Sequence, residues 1–171
     1  MVIWLIGISG AGKTTLGVRI EAYLKSQNKS CYMIDGDDVR NLFDNDLGYT
    51  YDERVQNIKR IILAVYVLEQ NGVVPIICNI SPFEELRKLA RRKLGSYNEI
   101  YLNKSIEESK RNDAKGLYRE NIGKTKLVGI DIPFEEPQNS DLTVEVEEEE
   151  VSESVDKIIY FLKEKYQKDF T

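Results

Sequence analysis

The segment with the clearest chemical meaning lies close to the amino terminus. Gly7-Ile8-Ser9-Gly10-Ala11-Gly12-Lys13-Thr14 fits G-x-x-x-x-G-K-[ST] without a gap, and Thr15 follows it. Glycines at this spacing let the backbone curl so that successive N–H groups point inward at phosphate oxygens. A helix opening at Lys13 would add its positive end to the same site. Lys13 can then reach the β- and γ-phosphates of ATP, and the Thr14 hydroxyl can take a place on Mg²⁺. The alternative is a glycine-rich turn that merely starts a helix. At average glycine usage, a chance match in a chain of this length falls at roughly one sequence in a hundred or fewer. The pattern therefore reads as a P-loop.

Other groups suited to phosphoryl chemistry follow. Asp35-Gly36-Asp37 closes an apolar run, and Arg40 comes three residues after Asp37. Two carboxylates beside a magnesium nucleotide can order the metal's water shell and accept a proton from a hydroxyl nucleophile. The chain has no histidine, so a carboxylate is the base left to it. Asp37 could instead simply cap a short helix. Arg54 and Asn57 stand three residues apart on one face of a predicted helix, and could be ordinary surface residues. Asn103-Lys104-Ser105-Ile106 begins like the guanine reader Asn-Lys-x-Asp but ends in Ile, which argues against a switch GTPase.

These groups need a scaffold, and the apolar pattern supplies one. Val2–Ile6, Cys31–Ile34, Val73–Cys78, Glu99–Leu102 and Leu142–Val146 read as strands. Helical periodicity separates them: Leu16, Ile20, Tyr23 and Leu24, then a long helix over Tyr51–Asn71 stopped at Gly72. A helix opening at Ser81-Pro82 follows, with Ser81 as cap and Pro82 in its first position. Ser105–Asn112 is a further helix, and an amphipathic helix carrying Ile158, Ile159 and Leu162 closes the chain. The acidic run Glu147–Glu150 reads as a solvated connection leading into it. Alternating strands and helices imply an α/β fold: one P-loop NTPase domain over residues 1–171, with a five-stranded parallel sheet and helices on both faces. Ligands in such sheets bind at the carboxyl ends of the strands, where the motifs above fall.

Composition narrows the function classes. The 171 residues are 42% hydrophobic and 31% charged, with 11 Gly and only 4 Pro, which excludes a disordered or collagenous chain. No apolar run approaches the ~20 residues of a membrane span, and the amino terminus lacks the pattern of a signal peptide. Cys31 and Cys78 both sit in apolar runs and read as buried thiols of a reduced compartment, so a cytoplasmic protein is expected. A net charge of −5 argues against a nucleic-acid partner.

Taken in order, the motifs resemble the adenylylsulfate kinase family, which phosphorylates the 3′-hydroxyl of adenosine 5′-phosphosulfate. The resemblance runs through Gly7–Thr15, Asp35–Arg40, Leu47-Gly48-Tyr49, Arg54–Arg60, Ile80-Ser81-Pro82, Lys115-Gly116-Leu117-Tyr118 and Gly129–Pro137. It implies an ATP- and Mg²⁺-dependent kinase with a small nucleotide acceptor, and a homodimer. It places Asp37, Arg40, Arg54, Asn57, Ile80 and Lys115 around that acceptor, with Tyr49 as one aromatic face for its base. Ser81 matches a serine assigned in the family as a phospho-intermediate. Thr14 and Asp35 would serve the metal, and Lys13 and the loop amides the donor phosphates. The sequence departs from the family in three places. The second aromatic, a Phe before Thr-Gly-Ile-Asp, is Leu127 here. The stretch leading to Gly129 is shortened. The family's Arg-Asp pair reads Asn112-Asp113. These departures admit an alternative acceptor of the same reaction, a cytidine nucleotide as in the related cytidine diphosphoramidate kinases. A module that binds nucleotide without turnover is the reading from a different class.

Overall fold

The computed structural model describes residues 1–111 and 127–170. Its centre is β1 (Val2–Ile6), a run of apolar residues buried on both faces, as a central parallel strand must be. Around it the sheet is ordered β2-β3-β1-β4-β5, with β2 at Cys31–Asp35, β3 at Val74–Cys78, β4 at Tyr97–Asn103 and β5 at Leu142–Glu145. Every neighbouring pair is parallel. The side-chain alternation of β1 divides the core in two. Ile3 and Leu5 face Leu16, Ile20 and Leu24 of α1 (Lys13–Ser26), and Ile158 and Leu162 of the last helix, α6 (Val151–Lys165). Val2, Trp4 and Ile6 face Ile58, Ile61 and Val65 of α3 (Tyr51–Gln70), and Leu86 and Ala90 of α4 (Glu84–Lys93). Helices therefore cover both faces, as the alternation predicts. No helix among the described residues is long and apolar enough to cross a membrane.

Local rules set most of the boundaries. Thr50 and Glu53 form a reciprocal capping box at the start of α3. At its end Asn71 is the cap, and Gly72 takes φ +71° with its N–H on the Glu69 carbonyl while Val73 N–H reaches Leu68, a Schellman closure. Glu150 caps α6 with Glu153 in the matching role, so the acidic run does lead into that helix. The short helix α5 spans Ile106–Arg111; Asn112, expected as its end, lies outside the described residues.

Apart from one-residue shifts at element ends, three starts differ from the sequence expectation. β4 begins at Tyr97, two residues early, because its polar residues are satisfied inside the fold. Buried Asn98 donates to the Val2 carbonyl at 2.8 Å and to the Tyr166 hydroxyl at 3.0 Å. A helix α2 (Gly36–Leu42) starts directly from β2, and its cap is Asp35, which accepts from the Asp37 amide at 2.9 Å; Asp37 itself is not the cap. Finally, α4 starts at Glu84, so Pro82 is not in the first helical position and Ser81 is not its cap. Ser81 instead has φ +48°, a left-handed conformation that a serine before proline rarely takes.

Candidate active site

Between β1 and α1 the P-loop curls through three glycines at φ +148°, +80° and +88°, Gly7, Gly10 and Gly12. A Cβ on Gly7 would stand 2.7 Å from the Leu102 carbonyl, so neither the conformation nor the space there admits another residue. Gly7 and Ala11 are buried and brace the loop, while Ser9, Gly10, Gly12, Lys13, Thr14 and Thr15 line a cleft of about 250 Å³. Lys13 folds back over the loop, with its Nζ donating to the Gly7 carbonyl at 2.9 Å and the Ile8 carbonyl at 2.7 Å. Lys104 supports the far side, donating to the Gly10 carbonyl at 3.1 Å.

The carboxyl end of β2 forms the next wall. Thr14 Oγ1 donates to Asp35 Oδ2 at 2.7 Å, which brings a hydroxyl and a carboxylate together at the mouth of the phosphate loop. Paired oxygen ligands of this kind suit Mg²⁺, so Thr14 and Asp35 are the residues fitted to hold it. Asp37 is exposed on the first turn of α2 and lines the same cleft. Gly36 lies beneath it, and its carbonyl accepts from Asn57 Nδ2 at 3.3 Å. Asn57 is almost fully buried, lines the cleft, and has an Oδ1 without a hydrogen-bond partner among the described residues.

A cationic and aromatic cluster completes the site. Arg40 Nη1 donates to the carbonyls of Leu47 and Gly48, at 3.0 and 2.7 Å. Arg54 Nε donates to the Tyr49 carbonyl at 2.9 Å. Both guanidinium carbons lie over the Tyr49 ring, 4.6 and 5.3 Å from its centre. Burial, and then the neighbouring Arg40 charge, lowers the Arg54 pKa from its ordinary value. Two buried like charges side by side gain most from an anion placed against both, and planar guanidinium groups suit phosphate and sulfate geometry.

Ile80 lines the cleft beside this cluster. Ser81 does not line it: the residue is 1% exposed, and its Oγ accepts from Trp4 Nε1 at 2.9 Å and from Asn79 Nδ2 at 3.2 Å. Leu127 is half-buried outside the cleft wall, its carbonyl accepting the amides of Ile130, Asp131 and Ile132 in a tight turn. Lys115 lies outside the described residues. Cys78 reaches the cleft floor, but burial pushes its thiol up to about 12, so it stays protonated and inert. Sequence reasoning assigned no role to Asn79, Lys104 or Arg87. Asn79 falls at the carboxyl end of a buried strand, where the sequence does point to ligand contacts, but its residue type alone assigns it no role. Lys104 and Arg87 carry no local signal: Lys104 acts on the distant Gly10 carbonyl, and Arg87 ties the Ser81 carbonyl to that of Glu135.

A P-loop α/β sheet of order 2-3-1-4-5, with a metal-suited Thr–Asp pair and an arginine cluster sharing one cleft, defines a phosphotransferase of the P-loop kinase class. Comparison with known proteins narrows the class. The family model for adenylylsulphate kinase matches residues 1–145. The chain is 38% identical over 164 residues to an adenylyl-sulfate kinase of Picosynechococcus sp., covering 95% of this chain and 93% of that one. It is 38% identical over 165 residues to that of Halothermothrix orenii, covering 95% and 89%. The Mycobacterium tuberculosis APS kinase, solved with AMPPNP and APS, superposes with a TM-score of 0.90 at 29% identity, covering 95% of this chain and 96% of that one. The chain belongs to the adenylylsulfate kinase family.

Proposed function

We propose that residues 1–171 form one kinase domain that transfers the γ-phosphoryl group of ATP to the 3′-hydroxyl of adenosine 5′-phosphosulfate. The observation that carries this reading is that the P-loop lysine and the Arg40–Tyr49–Arg54 cluster line a single cleft, with Asp35 and Asp37 in the same wall. Phosphoryl transfer asks the protein for positioning and charge stabilisation, and each part has a group suited to it. Lys13 and the loop amides hold the donor phosphates. Thr14 and Asp35 hold Mg²⁺, which would neutralise phosphate charge there. Arg40 and Arg54 grip the phosphosulfate, Tyr49 offers a face to the base, and Asn57 Oδ1 and Ile80 finish the pocket. Lys115 and Leu127 are assigned to its closing side on family resemblance. The acceptor oxygen attacks phosphorus, its proton passes to Asp37, and the bond from phosphorus to the β,γ-bridging oxygen breaks to leave ADP. In-line transfer needs no phosphoserine, and the buried, doubly bonded Ser81 Oγ supports a bracing role for that residue.

Two accompanying assignments belong to the same proposal. Two buried free thiols support a reducing cytoplasmic setting. Leu63, Tyr66 and Val67, exposed at helical spacing on α3, support a homodimer.

The test is kcat/KM for adenosine 5′-phosphosulfate beside cytidine diphosphate derivatives at saturating Mg-ATP, with Lys13→Ala as control. The adenosine acceptor is expected to rank first, and Lys13→Ala to lose several orders of magnitude in turnover. A cytidine compound ranking first would overturn the acceptor. ATP binding without acceptor-dependent turnover would leave a binding module.

A further inference from the structure

Behind the acceptor side of the cleft lies a buried polar assembly that the proposed reaction does not use. Its centre is Arg87 of α4, only 3% exposed. Arg87 Nη1 donates to the Ser81 carbonyl at 2.9 Å, and Nη2 to the Glu135 carbonyl at 2.6 Å. Its Nε faces the Glu99 carboxylate at 3.6 Å, and the Tyr97 hydroxyl donates to the other Glu99 oxygen at 3.0 Å. The two carbonyls that Arg87 holds belong to segments already paired, for Glu135 N–H donates to the Pro82 carbonyl at 3.0 Å. One guanidinium thus ties the exit of β3 to the segment that continues from Leu127.

The Ser81 conformation gives that tie a purpose. A non-glycine residue at positive φ is strained and persists only where its surroundings enforce it. Proline at 82 increases the conflict, because the residue before proline prefers extended backbone. The Ser81 side chain is held by Trp4 and Asn79, while its carbonyl is held by Arg87. Ile80 and Pro82, on either side of Ser81, both line the cleft. Release of the Ser81 carbonyl would let the turn relax toward extended backbone and carry those two wall residues with it.

We propose that Arg87 is a positioning residue for the acceptor: it holds the Ser81–Pro82 turn in its left-handed form and locks the 134–135 segment against it. The inference rests on the kinase reading for its kinetic consequence but not for its spectroscopic one. Trp4 is the only tryptophan of the chain, and its indole N–H is bonded to Ser81, so Trp4 emission reports on this turn directly.

The test uses Arg87→Lys, which keeps the charge opposite Glu99 but cannot span both carbonyls as a planar fork does. The acceptor KM is expected to rise about 10–100-fold, the scale set by displacements of about 1 Å in a positioned site. The Mg-ATP KM should stay within about twofold, and native Trp4 emission should shift. If Arg87→Lys does not fold, Arg87→Met combined with Glu99→Gln removes both buried charges together and is measured in the same way. An unchanged acceptor KM, a parallel rise in both KM values, or a selective rise with Trp4 emission unmoved overturns the inference. If the wild type phosphorylates no acceptor, the proposed function has failed separately. The emission of the variant then decides alone: a shift supports the clamp, and its absence overturns it.

Discussion

Gly36→Ala tests how tightly the ends of β2 and β3 are fitted together. Gly36 opens α2 at an ordinary backbone angle, so alanine meets no conformational penalty and raises helix propensity and chain stiffness by about 0.5–1 kcal/mol. Space decides the other way. A Cβ built on Gly36 stands 2.5 Å from Asn79 Oδ1 and 3.1 Å from its Cγ. Reaching an ordinary contact of 3.4 Å requires about 0.9 Å of movement. Asn79 is a short side chain whose Nδ2 is already committed to Ser81 Oγ at 3.2 Å, and that movement takes the bond out of range. Overpacking costs about 1–3 kcal/mol and the lost bond about 0.5–1.5 kcal/mol. Less the helical gain, the net destabilisation is about 0.5–4 kcal/mol, or about 1–16 °C in Tm at this chain length. The same disturbance lies in the cleft wall, so kcat/KM for the acceptor should fall as well. The assays are urea unfolding and steady-state kinetics on Gly36→Ala, Asn79→Ala and the double variant. Asn79→Ala removes the obstructing atoms, so only the helical gain remains and the double variant should be at least as stable as Asn79→Ala alone. Full stability in Gly36→Ala, or a double variant that simply sums its parents, would refute the steric argument.

Asp37→Asn keeps the shape of the α2 turn, because Asp35 and the residue-37 backbone amide form the cap; kcat should fall about 10²–10⁴-fold with acceptor KM little changed, and a variant with only a raised KM would demote Asp37 to a binding group. Cys31 and Cys78 are both buried, with thiols held above their ordinary pKa chiefly by that burial, so a disulfide exchange reagent should find no fast thiol in the native protein and two after denaturation. Burial pushes the Asp141 carboxyl up, but hydrogen bonds from Arg91, the Glu99 amide and Lys165 outweigh it and lower its pKa overall. A depressed folded pKa contributes stability that is present above the unfolded value and lost as pH falls through the folded one, so Asp141→Asn should flatten the acid limb of a stability–pH curve. An acid limb identical to the wild type would assign the loss to other carboxylates.

How far the site could be read from the chain depends on the range of the contacts that build it. The P-loop was legible because its cause is local: three left-handed glycines, a lysine and a threonine act within a few residues of one another. The strands β1 and β3 were legible because burial on both faces leaves continuous apolar runs. The two ends of β4 were less so. Asn98 is polar in sequence yet buried, since its amide is satisfied by Val2 and by Tyr166, which lie far from it in the chain. Arg40, Arg54 and Tyr49 could be nominated one by one, but their stacking about a single ring depends on how the loop between α2 and α3 is laid down.

Ser81-Pro82 shows why the local rule failed where it did. Serine before proline is a sound signal for a helix start, and a start there would have left Ser81 extended and its hydroxyl on the helix amides. Instead Trp4, Asn79 and Arg87 converge on that one residue from β1, from the end of β3 and from α4. A buried indole N–H needs an acceptor and a buried guanidinium needs several, and unmet demands of this kind cost about 1–3 kcal/mol each. Two such demands match or exceed the cost of one left-handed serine, so the tertiary contacts outweigh the cap. The local rule breaks where the backbone turns into the acceptor side of the cleft, which is where functional constraint, rather than secondary structure, sets the conformation.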